Sequence, residues 1–166
     1  MAVIVDTNVA FVADGNTRQA DQACGDVCIE RLLAIMQSGG LLLDEDDAIV
    51  AEYIAALGHS GRPGVGRAFV KWAFDYRFDA ARCGRVSIRQ RADGGWRRYE
   101  EFPNVPALEG FDPSDQKFVA VAIASGVAPP ILNAVDSDWW SYKTSLVAAG
   151  ITVEFLCPHL LRHRWM

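Results

Sequence analysis

The sequence predicts an α/β fold of three layers, in which a mostly parallel central sheet is flanked by helices on both faces. Short, strongly apolar runs alternate along the chain with longer segments whose apolar residues recur every three or four positions. The 166 residues, 51% of them hydrophobic, suit a single domain over residues 1–166. A basic segment over about residues 82–102 interrupts the alternation and is predicted to be an inserted β-hairpin.

The first part of the chain predicts two strands and three helices. Val3-Ile4-Val5 is expected to be a buried strand that ends at Asp6, and Leu41-Leu42-Leu43 is expected to be a second. Between His59 and Gly66 the chain is rich in Gly and Pro, which predicts a loop. Apolar stripes of helical spacing predict helices over about Thr17–Ser38, Asp46–Leu57 and Ala68–Phe78.

The second part predicts a hairpin, two helices and two strands. Asp93-Gly94 lies between β-prone runs in the stretch Arg85–Phe102 and is a hairpin-turn signal. Asp112-Pro113-Ser114-Asp115 predicts a helix start with Asp at the N-cap and Pro at the first helical position. This helix is expected to end at Ser125. A strand, a short helix and a last strand follow, over Ile131–Val135, about Trp139–Ala149 and Ile151–Phe155.

Composition restricts the classes of function. The opening apolar run is too short for a signal peptide or a membrane span, so we expect a cytoplasmic protein without membrane contact. The net charge of −5 argues against bulk attraction to nucleic acid, so a nucleic-acid enzyme would need a local basic patch. No histidine accompanies the cysteines at a zinc-ligand spacing, so free, apolar-packed thiols are expected at Cys24, Cys28, Cys83 and Cys157.

Four acids occupy positions that a parallel sheet would bring together. Asp6 and Asp136 each follow a predicted strand directly, and Asp115 lies in the first turn of a helix. Such positions gather at the carboxyl edge of the sheet, where folds of this class place their sites. Glu52 shares the apolar stripe of its helix, where a carboxylate needs a partner such as a cation. Convergent carboxylates without Cys or His favour Mg²⁺ or Mn²⁺, which can drive hydrolysis of a phosphodiester.

Each of these acids also has a purely structural interpretation. Asp6 could accept turn hydrogen bonds, Asp115 could be favoured by the helix dipole, and Glu52 could reach solvent. Asp112 is expected to be a helix cap rather than a ligand, and Asp138 could be a turn residue or a cap. The adjacent acids before the second predicted helix are expected to be a solvated helix start: Asp44, Glu45, Asp46 and Asp47. The metal-site hypothesis therefore depends on four acids fitting one geometry.

With these pieces assembled, the sequence resembles the PIN-domain family. The resemblance follows the family's order through Val-Asp-Thr-Asn-Val at 5–9, the helix Ala48–Leu57 with Glu52, Asp-Gln-Lys-Phe-Val-Ala-Val-Ala at 115–122, Val-Asp-Ser-Asp-Trp at 135–139 and Gly-Ile-Thr-Val at 150–153. It implies a compact α/β fold and cleavage of RNA by an endoribonuclease that depends on Mg²⁺ or Mn²⁺. It assigns catalytic and metal-binding roles to Asp6, Glu52, Asp115 and Asp136, a further metal-ligand position to Asp138, and a supporting role to Asn8.

The sequence departs from the family pattern in three places. Ala134 stands where Ser or Thr is frequent, Trp139 stands where Phe is more usual, and the basic hairpin lies outside the minimal family core. Many family members are toxins paired with an antitoxin, and this chain is somewhat long for that group. The resemblance thus leaves open a toxin with an antitoxin-like protein partner, a processing enzyme and a homodimer.

The hairpin is a candidate RNA-binding arm. Between Arg82 and Arg98 the chain carries six arginines against a single acid, with Trp96 among them. Arginines contact phosphates and aromatic rings stack on unpaired bases, which suits single-stranded or structured RNA. The alternatives are a solvated hairpin edge and a docking surface for an acidic protein. The predicted nucleic-acid contacts are Arg85, Arg89, Arg91, Trp96, Arg97 and Arg98.

Taken from the residues and the resemblance, the prediction is a divalent-metal-dependent endoribonuclease. The alternative is a catalytically inactive PIN-like module that binds RNA or protein, although such a module would not need all four acids. A phosphatase or phosphate-acceptor enzyme is less favoured. It would need a helper Lys or a second Asp two residues after the first, and Asn8 occupies that position.

Overall fold

A parallel β-sheet lies at the centre of the computed structural model, which describes residues 1–15, 17–58 and 64–162. Its described strands are β1 (Ile4–Val5), β2 (Leu41–Asp44), β3 (Cys83–Val86), β4 (Pro130–Asn133) and β5 (Thr152–Phe155). Strand β4 pairs with β1 and β5, while β2 pairs with β3, always in parallel. A parallel bridge from Val3 to Leu41 joins the two groups, which gives the strand order β3-β2-β1-β4-β5.

The strand order reverses between β1 and β4, and this reversal positions the site. From β1 the chain continues to β2 and β3 on one side, whereas β4 and β5 lie on the other. In open parallel sheets a crevice forms at such a switch point, outside the carboxyl ends of the two strands. Ile4 is paired with Ile131 and Val5 with Leu132, so the residue after Val5, Asp6, lies at this crevice.

Helices connect the strands: α1 (Thr7–Ala13), α2 (Gln22–Ser38), α3 (Ala48–Leu57), α4 (Val65–Tyr76), α5 (Gln116–Ser125), α6 (Ser137–Ser141), α7 (Lys143–Ala148) and α8 (Pro158–Arg162). Two 3₁₀ turns, Pro106–Leu108 and Pro113–Asp115, precede α5. Helices α1 to α4 pack on one another, and α5 lies against strands β1 to β4. Across the described ranges, every helix is too short or too polar to cross a bilayer.

The predicted mixed α/β organisation with a parallel sheet is confirmed, with differences in detail. Helix α1 was not predicted; it begins directly after β1, and the Asp6 carboxylate caps it by accepting from the Asn8 N–H at 2.9 Å. The helix expected from Thr17 begins at Gln22 instead. The single helix expected over Trp139–Ala149 is divided into α6 and α7. Residues 59–63 of the expected loop lie outside the described residues, and its last two residues already belong to α4.

The predicted β-hairpin over residues 82–102 is wrong in its first half. Cys83–Val86 forms the edge strand β3, parallel to β2. Residues 87–102, called the arm below, form a narrow antiparallel loop with one bridge, between Gln90 and Tyr99. The turn signal is correct at the tip, where the Asp93 carboxylate accepts from the Gly95 N–H at 3.0 Å. A turn signal is local, however, and does not fix how far pairing extends from it.

The expectation of four free thiols is wrong for two cysteines. Cys24 on α2 and Cys157 after β5 form a disulfide, with their Cα atoms 5.4 Å apart and a separation of 133 positions in sequence. Cys28 and Cys83 are free and buried. The helical spacing predicted that Cys24 and Cys28 share a face, but it carried no information about a partner so far along the chain.

The expectation of a solvated helix start is wrong for Asp44. This side chain is fully buried at the end of β2. Its two carboxylate oxygens accept from the backbone N–H groups of Ala48 at 2.8 Å and Ile49 at 2.9 Å. Asp44 therefore satisfies the free amides at the start of α3 and fixes the direction in which that helix leaves the sheet. Glu45 and Asp46 are exposed, as expected.

Candidate metal centre

Three of the four predicted carboxylates converge at the switch point. Asp6, Asp115 and Asp136 each offer a carboxylate oxygen, and these atoms lie within 4.8 Å of one another. Asp6 follows β1, Asp136 lies just after β4, and Asp115 ends the 3₁₀ turn that precedes α5. Because β1 and β4 are neighbouring parallel strands, their carboxyl ends bring Asp6 and Asp136 to one edge.

Asp6 is held rigidly by two hydrogen bonds. It is 3% exposed, and its Oδ1 accepts from the Asn8 N–H at 2.9 Å. Its Oδ2 accepts from the Trp139 indole N–H at 2.6 Å, a hydrogen bond that a Phe at this position could not donate. Burial raises the pKa of Asp6 to about 6 against the lowering effect of Asn8, with the charges of Asp136 and Glu52 adding to the rise. Each carboxylate oxygen keeps a lone pair for a further ligand.

Asp115 has the least satisfied environment of the three. It is 5% exposed, and no residue of the described ranges donates a hydrogen bond to its buried Oδ2. Burial, followed by repulsion from Asp6 and Asp136, raises the pKa of Asp115 to about 10. A buried, unpaired carboxylate is costly unless it takes up a proton or a cation. The donor set therefore fits a hard divalent cation such as Mg²⁺ or Mn²⁺.

Asn8 holds the turn that carries Asp136. Its Oδ1 accepts from the backbone N–H groups of Ala134 at 2.8 Å and Val135 at 3.0 Å. Its Nδ2 donates to Asn133 Oδ1 at 2.7 Å, and Asn133 Nδ2 donates in turn to the Asp136 carbonyl at 3.1 Å. The predicted supporting role of Asn8 thus has a geometric basis, because one residue touches the loops of both Asp6 and Asp136.

A second group of acids adjoins the first. Carboxylate oxygens of Asp112, Asp115 and Asp138 also lie within 4.8 Å of one another. Asp112 caps the 3₁₀ turn through the Ser114 N–H at 2.9 Å, as predicted, and its own N–H donates to Asp138 Oδ2 at 2.9 Å. Burial raises the pKa of Asp138. Asp115 belongs to both groups and therefore connects Asp138 to Asp6 and Asp136.

Glu52 lies beside the cluster rather than in it. Its Oε1 is 2.7 Å from the Lys117 ammonium, and its Oε2 accepts from the Thr7 hydroxyl. Its negative charge still contributes to the raised pKa of Asp6 and Asp115. Lys117 is 8% exposed and also donates to the Ser114 carbonyl. Lys117 was not predicted as a site residue, although a lysine directly before the apolar run 118–124 of α5 was an available signal.

Most of the predicted RNA-binding residues, which are Arg85 on β3 and five residues of the arm, already have protein partners. Arg85 is bound by Asp47 at 2.9 Å, and Arg91 by Asp93 and by Glu100 at 3.1 Å. Three further residues of the arm are engaged: Arg89 with Glu101 at 3.7 Å, Arg97 with the Phe102 carbonyl at 2.9 Å, and Trp96 edge-on to Phe102 at 6.0 Å. The charge count from Arg82 to Arg98 did not include Glu100 and Glu101, which neutralise Arg91 and Arg89. Of the predicted set, Arg98 differs, being exposed and without an ion-pair partner among the described residues.

Comparisons of the chain with models of protein families, with curated proteins and with solved structures give no match. The support for a function therefore lies in the geometry of the carboxylates and of the cationic residues around them.

Proposed function

We propose that this protein is a divalent-metal-dependent endoribonuclease of the PIN-domain kind, with its metal centre at Asp6, Asp115 and Asp136. The observation that carries the proposal is the buried Asp115 Oδ2, which has no hydrogen-bond donor in the described ranges and lies beside two further carboxylates. Such an oxygen, at the switch point of a parallel sheet, is suited to a cation rather than to a protein partner.

In this proposal Asp6, Asp115 and Asp136 hold Mg²⁺ or Mn²⁺, and Asp138 is available as a further ligand. When bound, the cation neutralises charge on a phosphate oxygen and lowers the pKa of a coordinated water. The Trp139 indole and the Asn8 backbone fix the Asp6 carboxylate, and the Asn8 amide fixes the turn of Asp136. These hydrogen bonds orient the ligand oxygens before any cation arrives, which reduces the cost of binding.

Lys117 gives the site a positive charge of its own. Its ammonium holds the Glu52 carboxylate at 2.7 Å and so limits the repulsion that a phosphate would meet beside the cluster. The predicted catalytic role of Glu52 becomes indirect in this arrangement, since Glu52 positions Lys117 and Thr7 at the rim of the cluster. A direct ligand role for Glu52 would require it to leave Lys117.

The decisive experiment is cleavage of a labelled single-stranded RNA with Mn²⁺, with Mg²⁺ and with EDTA. We expect cleavage by the wild type with either cation, and none with EDTA or in the Asp136→Asn variant. Asp26→Asn is the matched control, because Asp26 is exposed on α2 and lies outside both acidic groups. Equal cleavage by Asp136→Asn and wild type would assign the activity to another site or to a contaminant.

The second candidate is a PIN-like module that binds RNA or protein without cleaving. It is favoured by one observation, namely that Glu52 is already neutralised by Lys117. In that case the wild type would bind RNA and show no cleavage with either cation. An antitoxin-like partner and a homodimer also remain proposals, and light scattering of the purified chain tests the latter.

A further inference from the structure

A pocket of about 350 Å³ lies between the arm and the start of α5. Its volume is within the range of small-ligand sites, about 300–1,000 Å³. Its lining residues are Gln90, Arg98, Tyr99, Pro113, Ser114 and Lys117. Ser114 precedes Asp115 directly and Lys117 follows it by two residues, so the pocket lies beside the segment that carries Asp115.

The lining of this pocket is cationic in an otherwise acidic chain. It includes two positive side chains and no carboxylate, although the chain as a whole carries a net charge of −5. Arg97 donates to backbone carbonyls, whereas the Arg98 guanidinium makes neither an ion pair nor a hydrogen bond within the described residues, so its five N–H groups are available. The Lys117 ammonium gives two hydrogen bonds, to Glu52 and to the Ser114 carbonyl, and keeps one proton to donate.

A buried amide fixes Arg98 relative to the metal centre. Gln116 is fully buried, and its Oε1 accepts from the Arg98 N–H at 2.8 Å while its Nε2 donates to the Trp96 carbonyl at 2.9 Å. Gln116 directly follows Asp115, so the backbone of the arm is attached to the residue next to the candidate ligand. The bridge between Gln90 and Tyr99 holds the arm from its other side. Such pre-organisation lowers the entropic cost of binding a ligand.

We infer that this pocket is an anion subsite for one backbone phosphate of the RNA strand, next to the phosphate at the metal centre, with Arg98 and Lys117 as its cationic contacts. The identity of the ligand rests on the proposed function. Arg98 supplies a planar fork of donors and Lys117 a point charge, a combination that suits a phosphate. The remaining predicted arginines of the arm, Arg89, Arg91 and Arg97, do not line the pocket and are not part of the subsite.

The test compares two arginines of the same arm. Binding of a fluorescent single-stranded RNA is measured by anisotropy over a series of salt concentrations. EDTA is present throughout, so that no metal-dependent cleavage occurs. For Arg98→Ala we expect weaker binding and a slope of log affinity against log salt that is smaller by about 0.7, the value for one lost phosphate contact on a single strand. Arg98→Lys should restore most of the slope. Arg89→Ala is the matched control, because that side chain is 80% exposed and lies outside the pocket.

The outcomes separate this inference from the proposed nuclease activity. Equal slopes for the wild type, Arg98→Ala and Arg89→Ala would overturn the subsite, even if the wild type cleaves RNA. A reduced slope for Arg98→Ala alone supports the subsite, even if no RNA is cleaved in Mn²⁺ and the nuclease proposal fails. If the wild type does cleave, Arg98→Ala should raise KM more than it lowers kcat, because Arg98 lies outside the acidic cluster.

Discussion

The two most buried acids of the cluster, Asp6 and Asp115, differ in the hydrogen bonds that their carboxylate oxygens accept. Asp115 Oδ2 has no donor among the described residues, whereas both oxygens of Asp6 accept hydrogen bonds, from Asn8 and from Trp139. An asparagine resembles a protonated aspartic acid in shape and lack of charge, but it replaces one acceptor with a donor. The same Asp→Asn substitution should therefore have different effects at the two positions.

For Asp115→Asn we expect a melting temperature in EDTA that is higher than that of the wild type by about 2–4 °C, which corresponds to about 1 kcal/mol in a chain of this size. In the metal-free wild type the buried Asp115 carboxyl must retain a proton beside Asp6 and Asp136, whereas an amide is neutral at every pH, and no described residue donates to Oδ2. The stabilisation by Mg²⁺ or Mn²⁺ should disappear in the variant. Differential scanning fluorimetry with EDTA and with each cation measures both effects, and Asp26→Asn should match the wild type throughout.

Asp6→Asn is expected to be destabilising instead, by about 1–3 kcal/mol, because its amide group would face the N–H of either Trp139 or Asn8. A gain of stability in Asp6→Asn, or a retained response to Mg²⁺ in Asp115→Asn, would contradict the assignment of these roles.

At the scale of secondary structure, Gln116 connects α5 to the arm. Replacing it with Leu leaves the Arg98 N–H and the Trp96 carbonyl without their partner, which should cost about 1–3 kcal/mol. The cost falls on the arm, so limited trypsin digestion should cut at Arg97 and Arg98 sooner than in the wild type. Gln37→Leu on the exposed face of α2 is the control. Unchanged digestion of the Gln116→Leu variant would mean that the arm is held by other contacts.

The elements that sequence predicted well have strong local patterns. Strands β1, β2 and β4 are buried apolar runs, and the start of α5 follows an Asp-Pro capping sequence. Helix α1 was missed because four of its seven residues are buried, so it lacks the polar face that marks an amphipathic helix. Strand β3 was assigned to a hairpin because its partner, β2, lies about forty residues away in sequence.

At the scale of the whole molecule, the candidate site was predictable where it depends on strand ends and not where it depends on distant pairs. Asp6 and Asp136 follow adjacent parallel strands, so topology alone brings them together. The pair of Glu52 with Lys117 joins residues 65 positions apart, and nothing in the sequence of either helix specifies it. The same holds for the disulfide and for Asp44, whose burial depends on where α3 leaves the sheet.

The disulfide between Cys24 and Cys157 predicts a thiol count. The denatured, unreduced protein should react with two equivalents of a thiol reagent, at Cys28 and Cys83, and with four after reduction. Disulfides are rare in reducing cytosol, so the disulfide and the predicted cytoplasmic location point in opposite directions. Replacing both cysteines with Ser should cost about 2–4 kcal/mol, the typical contribution of a disulfide. Reaction of four thiols before reduction would show that the native protein lacks this disulfide.

The cluster also predicts how the stability of the metal-free protein depends on pH. Burial raises the pKa of Asp6 from 3.8 to about 6 and that of Asp115 from 3.8 to about 10. Above pH 4 the unfolded chain has released these protons while the folded chain retains them, so rising pH favours unfolding. The stability that the protonated Asp6 contributes is fully present below pH 4 and is lost by about pH 6. The stability that the protonated Asp115 contributes is lost gradually up to about pH 10.

For each proton that the folded chain retains and the unfolded chain has released, the free energy of unfolding falls by at most about 1.4 kcal/mol for every unit that the pH rises. Calorimetry in EDTA should therefore give a lower melting temperature at pH 8 than at pH 5.5. Asp115→Asn should flatten the dependence above pH 6, where Asp115 is the titrating member of the cluster. Saturating Mg²⁺ should flatten it as well, because the cation replaces the proton, and its affinity should rise with pH for the same reason. A metal-free melting temperature that rises from pH 5.5 to pH 8 would mean that these carboxylates are paired with cationic groups rather than with one another.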